Sequence, residues 1–151
     1  MNPHAADAAR WTAGVLSVQN MNRLGCLKRS EVIGIEGRKI GLYHGSPEDP
    51  DEYVLDESRA EELLKRSDCD VVICGHTHVP MQVSLGGKLF LNPGSVGQPR
   101  DGNPAAAFME LDIRNMRVKL HRVEYGVEIT QEEMLLFGLP KFLADRLSKG
   151  Y

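Results

Sequence analysis

Cysteine is scarce in this sequence: Cys26, Cys69 and Cys74 are the three among 151 residues, an odd number with no C-x-x-C pair. Such usage excludes a disulfide framework and a zinc–thiolate site, and it predicts three reduced, mostly buried thiols. A basic excess is also missing, since 18 Lys and Arg stand against 21 Asp and Glu for a net charge of −3. Nucleic acid and anionic membrane surfaces both call for the opposite balance. Apolar runs stay short, as in Val71-Val72-Ile73-Cys74, whereas a membrane span needs roughly 20 residues. No charged-then-apolar leader opens the chain, so a cytoplasmic protein is expected. With 42% hydrophobic residues and no repeat, residues 1–151 read as a single globular domain.

Asn2-Pro3 reads as an N-cap followed by proline at the first helical position. Ala8, Trp11, Thr12 and Val15 share a face at helical spacing, predicting an amphipathic helix over 3–19 with Trp11 in the core. Strands follow at 31–35 and 38–43 around a tight turn at Glu36-Gly37. His44 stands where the second strand runs out, and residues 45–50 are a loop. Ser58 and Glu61 have capping-box spacing for a helix to about Ser67, with Ala60, Leu63 and Leu64 inward. Val71 to Cys74 is a continuous apolar run, the mark of a strand buried on both faces. Short strands at 81–85 and 88–91 hinge at Gly86-Gly87, and a long loop runs from Asn92 to Pro104. A second hairpin spans 106–113 and 116–124. Thr130 and Glu133 suggest another capping box for a helix at 131–137, and a last helix fills 140–148. Strands with peripheral helices indicate α/β or α+β. Only one strand reads as buried on both faces, so the sheets are expected to need cover from outside the chain.

The sharpest chemical signal is Gly75-His76-Thr77-His78 at the end of the buried strand. Two imidazoles two apart in an extended segment point the same way, and imidazole suits zinc-, manganese- and iron-class ions. His44, in Tyr43-His44-Gly45, ends another strand, and strand ends at one rim of a sheet are where α/β sites assemble. His44, His76 and His78 are therefore the candidate metal ligands, with hydrogen-bonded loop histidines as the plain alternative. His4 and His121 lack such a setting and read as structural or solvated. The loop Asn92-Pro93-Gly94-Ser95-Val96-Gly97-Gln98-Pro99-Arg100 also follows a strand. Its glycines bring backbone donors within reach of an anion, with Arg100 as a clamp; otherwise it is a glycine-rich connection.

Taken in order, Tyr43-His44-Gly45, Gly75-His76-Thr77-His78 and Asn92-Pro93-Gly94-Ser95 resemble the last three signature blocks of the calcineurin-like metallophosphoesterase superfamily. The flanking His44-Gly45-Ser46-Pro47, Glu52-Tyr53-Val54, Ser95 to Gly102 and Gly138-Leu139-Pro140 with Leu143 to Leu147 are similar to its small prokaryotic phosphodiesterase-like branch. The resemblance implies a two-sheet β-sandwich flanked by helices, with metals at the strand C-termini. It implies that His44 and His76 bind one divalent ion and His78 its neighbour, the ion being manganese, nickel, zinc or iron. Two such ions in a complete site polarise a phosphate ester and activate a hydroxide for attack on phosphorus. Gly75, Asn92, Gly94 and Ser95 would shape the active-site loop, and Arg100 would reach the substrate.

The resemblance also has a gap. The superfamily's Asp-x-His, Gly-Asp-x-x-Asp and Gly-Asn-His blocks do not occur in these 151 residues, so no catalytic acid or base is assignable. The chain reads as the C-terminal half of such an enzyme, lacking the N-terminal strands. The missing part would be lost with a misplaced start or trimming, supplied by a separate chain, or dispensable in a non-catalytic module. Two functions follow. One is a metal-dependent phosphoesterase, incomplete without an N-terminal half; the other is a non-catalytic metal-binding scaffold whose three imidazoles hold one ion. Either predicts association, as a homo-oligomer or with a complementary N-terminal half chain. The acidic loop at Glu48, Asp49, Asp51 and Glu52 reads as a solvated face.

Overall fold

A computed structural model describes residues 3–151; the expected cap at Asn2 lies outside them. Helix α1 runs over Pro3–Val15, and strands β1 (Ser30–Ile35) and β2 (Arg38–Tyr43) follow a second helix, α2 (Val18–Gly25). Helix α3 (Glu57–Arg66) precedes β3 (Val71–Ile73), β4 (Met81–Leu85) and β5 (Lys88–Asn92). Strands β6 (Ala106–Asp112) and β7 (Arg117–Val123) lead to α4 (Val127–Leu136), α5 (Lys141–Asp145) and a 3-10 turn, Leu147–Lys149. The larger sheet has the order β1-β2-β3-β5-β4, and β6 pairs with β7 as a separate two-stranded sheet. The β1–β2 hairpin turns on Glu36 (φ 51°) and Gly37 (φ 75°), the two left-handed residues that a tight hairpin needs.

Inside the larger sheet β2, β3 and β5 run parallel, with Ile40 level with Val71 and Val71 level with Leu89. Side-chain alternation keeps these three on one face and sends their neighbours Val72 and Phe90 to the other. Val72 and Phe90 pack with Val83 under Ala60, Leu63 and Leu64 of α3. On the other face Ile40, Val71, Leu89 and Leu91 meet Met109, Leu111 and Val118 of the β6–β7 hairpin. The result is helix, sheet and sheet in three layers, the mixed α/β sandwich expected from the sequence.

Several local expectations change. Val71 and Val72 are buried as predicted, yet Leu89 to Asn92 of β5 are buried too, so two strands carry the two-sided core. The flanking parallel neighbour and the β6–β7 layer cover β5, which its short apolar run did not reveal. The first helix stops at Val15, because the Ser17 hydroxyl accepts from the Asn20 amide and caps α2. Trp11 is half-buried against the Phe137 ring at 5.7 Å. Asp56, not Ser58, caps α3 by accepting from the Arg59 amide at 2.9 Å. Helix α4 begins at Val127 with Gly126 at its N-cap, so Thr130 lies inside it rather than capping it. Cys69 and Cys74 are buried and free, whereas Cys26 is exposed. Burial pushes the Cys74 thiol up to about 12, which leaves it protonated and inert.

Phe90 is fully buried at the middle of β5, facing α3. Truncating it leaves a cavity between sheet and helix, so Phe90→Ala is expected to lower stability by about 3–5 kcal/mol. Urea unfolding measures this, and a loss below about 1 kcal/mol would contradict the placement of the core.

Candidate functional site

The parallel strands β2, β3 and β5 are adjacent and in register, Leu42 against Ile73 and Ile73 against Leu91. Their C-terminal ends therefore present His44, residues 75–78 and residues 92–95 side by side at one rim. Gly45 lets the chain after β2 fold back on itself, since a Cβ there would lie 2.6 Å from the Pro50 carbonyl oxygen. Ser46, buried beneath the loop, accepts from the amides of Glu48 and Asp49 at 3.1 and 3.0 Å.

Asn92 ties the other two segments together. Its side-chain amide donates to the Gly75 carbonyl at 2.8 Å and to the Thr77 hydroxyl at 2.9 Å. Its Oδ1 accepts from the Gly94 amide at 3.0 Å. Asn92 is 1% exposed, so all three bonds form away from water, where an unmet amide is costly. Gly94 at φ 82° brings the loop close against Pro80 and Ala107; a Cβ would stand 2.8 and 2.9 Å from them. Ser95 continues the packing by accepting from the Gln98 amide at 2.9 Å.

The held segment is not extended. His76 and His78 have φ of 64° and 61°, left-handed values that non-glycine residues adopt at a cost. Two consecutive reversals, not strand alternation, set their directions, and the rings diverge. The His76 Nδ1 lies 2.8 Å from His44 Nε2, with the Tyr53 ring tilted 49° against it at 4.0 Å between centroids. His78 instead places Nδ1 2.8 Å from the Gln98 carbonyl oxygen. A carbonyl only accepts, so this Nδ1 carries the proton and Nε2 keeps the lone pair, the orientation that serves a metal ligand.

His44 and His76 also fit one ion in part. Two nitrogens bound to a tetrahedral ion at about 2.0–2.1 Å lie about 3.3 Å apart, near the 2.8 Å seen between these rings. Among the described residues no group of three His, Cys, Asp or Glu side chains converges on one point; the pair is a partial shell. Burial, with His44 next to it, lowers the pKa of His76, while Asp51 works the other way. His78 is lowered by burial, against the bond to Gln98. Both shifts favour the neutral, ligating imidazole.

The other residues singled out from the sequence take the following places. The Arg100 amide donates to the His78 carbonyl at 3.1 Å, which sets this arginine behind the histidine loop. His121 lies on β7, stacked on Phe108 at 4.7 Å, and the His4 ring is 5.2 Å from that of Phe142. In the acidic loop Glu48, Asp49 and Asp51 are exposed as expected, yet Arg59 pairs with Glu48 at 2.7 Å and Glu52 at 2.6 Å. These bonds hold both carboxyls below their usual range. Asp101 pairs with Arg122. Tyr53 against His76, and Arg146 of the C-terminal segment, were not singled out from sequence; a lone aromatic or arginine far along the chain gives no local signal of either placement.

The lowered His76 and His78 bind fewer protons folded than unfolded below the ordinary 6.5, so stability falls as pH drops through that range. In metal-free protein the melting temperature is expected to decline from pH 7 to pH 5. His78→Asn, which tolerates the left-handed backbone, should flatten that slope; an unchanged slope would contradict the role given to His78.

Residues 14–116 match the calcineurin-like phosphoesterase superfamily domain. An uncharacterized protein of Methanocaldococcus jannaschii is 30% identical over 166 residues, which cover 99% of this chain and 67% of that protein. A probable metallophosphoesterase of the same organism is 35% identical over 78% of this chain and 59% of its own length. The crystal structure of a metallophosphoesterase from Sphaerobacter thermophilus superposes on the whole chain with a TM-score of 0.87 and 32% identity, over 69% of that protein. The chain thus spans between 59% and 69% of the lengths of these three.

Proposed function

The chain belongs to the calcineurin-like phosphoesterase superfamily, and from that premise we propose that it carries the C-terminal part of a metal-dependent phosphoesterase site. The observation that carries this reading is the strand-end rim, where His44 and His76 nitrogens stand 2.8 Å apart beside a His78 whose Nδ1 is held by the Gln98 carbonyl. His44 and His76 hold one divalent ion in this reading, and the free Nε2 of His78 serves a neighbouring one. The chemistry a bound divalent ion supplies is polarisation of a phosphoryl oxygen and activation of water.

The residues of this chain do the positioning. Asn92 fixes the histidine loop, Gly94 lets the second loop pack against Pro80 and Ala107, and Ser95 closes that loop. Tyr53 covers one face of His76 and shields it from bulk water. Arg100 takes the negative charge of the phosphate ester, since no Asp or Glu pairs with it among the described residues. The superfamily's carboxylate-bearing and asparagine-bearing blocks are absent from these residues, so their ligands and the leaving-group acid come from another segment, in the same or another chain.

We also propose that residues 1–151 form one structural unit in the cytoplasm. No helix among the described residues is long and apolar enough to cross a membrane. Val18, Leu24 and Leu27 around α2 and Val32 on β1 are exposed, and a second copy or a complementary N-terminal half chain covers them in this reading.

Hydrolysis of an aryl phosphodiester with added manganese, nickel or zinc tests the site. The chain is assayed with and without a polypeptide bearing the three missing blocks, as wild type and as His76→Ala. The expected result is turnover with that polypeptide present and a drop of at least about 100-fold in the variant. Equal turnover of both proteins would sink the assignment.

A further inference from the structure

A cavity of about 390 Å³ opens between α1, residues 97–100 and the C-terminal segment of α4, α5 and the final turn. Its volume is that of a small-molecule site. Two guanidinium groups, Arg100 and Arg146, line it together with Met134, Phe142, Leu143 and Leu147, and no Asp or Glu is among the described lining residues. Two guanidinium groups on one wall repel each other unless an anion lies between them.

The state of Arg100 sharpens the point. One terminal nitrogen donates to the Gln98 side chain at 3.0 Å, but the Nε is buried with no partner. A buried unmet donor carries a desolvation penalty that a ligand acceptor removes. Arg146 lies over the Phe142 ring, 5.4 Å from its centroid, and its Nε donates to the Tyr151 carbonyl oxygen. Burial, and then the charge of Arg100, lower its pKa. Both groups are stabilised by a negative charge placed between them; the rest of the wall sets the polar His4, Gln98 and Thr130 beside apolar side chains.

We propose that this cavity binds a small organic anion. Its phosphate or carboxylate group lies against Arg100 and Arg146, and its aryl or alkyl body lies on Met134, Phe142, Leu143 and Leu147. The Arg100 main chain is bonded to His78, so the site adjoins the histidine rim. This extends the substrate-facing role proposed for Arg100, and it needs no metal.

Titration calorimetry in EDTA separates it from the hydrolytic reading, because binding is read with no ion present. The probes are phenyl phosphate, benzoate, inorganic phosphate and benzyl alcohol. Phenyl phosphate and benzoate are expected to bind wild-type protein at least tenfold more tightly than inorganic phosphate or benzyl alcohol. Arg146→Gln should weaken both by at least tenfold, and Met134→Trp, which fills the apolar end, should abolish binding. Circular dichroism and thermal melts check that each variant folds; Arg100→Gln replaces Arg146→Gln if the latter does not. Absence of phenyl phosphate binding to wild type, or equal affinity in the folded variants, would overturn the proposal. Equal binding of inorganic phosphate would overturn the apolar part, and equal binding of benzyl alcohol the anionic part.

Discussion

The side chain of Asn92 holds the rim of this sheet in place. From the last position of β5 it gives both amide hydrogens to the loop after β3, at Gly75 and Thr77. Its oxygen takes the amide of Gly94 in its own loop. Those bonds connect a segment with two left-handed histidines, His76 and His78, to one with a left-handed glycine. Neither conformation is favoured locally. Each persists because a buried, fully bonded amide makes the alternatives leave polar groups unmet.

The core makes that clamp possible. The parallel register of β2, β3 and β5 puts their ends level, and burial on both faces prevents any slip of one residue. Helix α3 covers Val72 and Phe90, and the β6–β7 hairpin covers Ile40, Val71 and Leu91. A rigid platform then carries loops that are too irregular to hold themselves. The separation between His44 and His76 follows from the inter-strand spacing, with His44 one residue beyond β2 and His76 three beyond β3. Polar chemistry collects at the rim because the interior of the sheet has no room for it.

Much of this was legible from the residue pattern. Glu36-Gly37, Gly86-Gly87 and the apolar run at Val71 marked the strands within a residue or two, because turn chemistry and burial are local. Helix starts were less legible: Asp56 takes the cap from Ser58 because several polar residues compete for it, and α4 starts after Gly126 with no side-chain cap at all. The metal candidates were legible as residue types at strand ends, but their directions were not. An H-x-H pair reads as two parallel imidazoles only in extended backbone, and the reversals at His76 and His78 depend on Asn92, 14 positions beyond His78. The tilted contact of Tyr53 with His76, and the meeting of Arg100 with Arg146, come from chain segments that only the tertiary fold brings together.

The central claim is that Asn92 orients the histidines for a metal ion. Its direct test is zinc or manganese binding by calorimetry to wild-type protein, Asn92→Ala and Asn92→Asp. The claim predicts an affinity loss of about 10–100-fold for Asn92→Ala, with circular dichroism retained. Asn92→Asp, which keeps the acceptor for Gly94 but not the donors, should lose nearly as much. Metal affinity unchanged in both variants would contradict it.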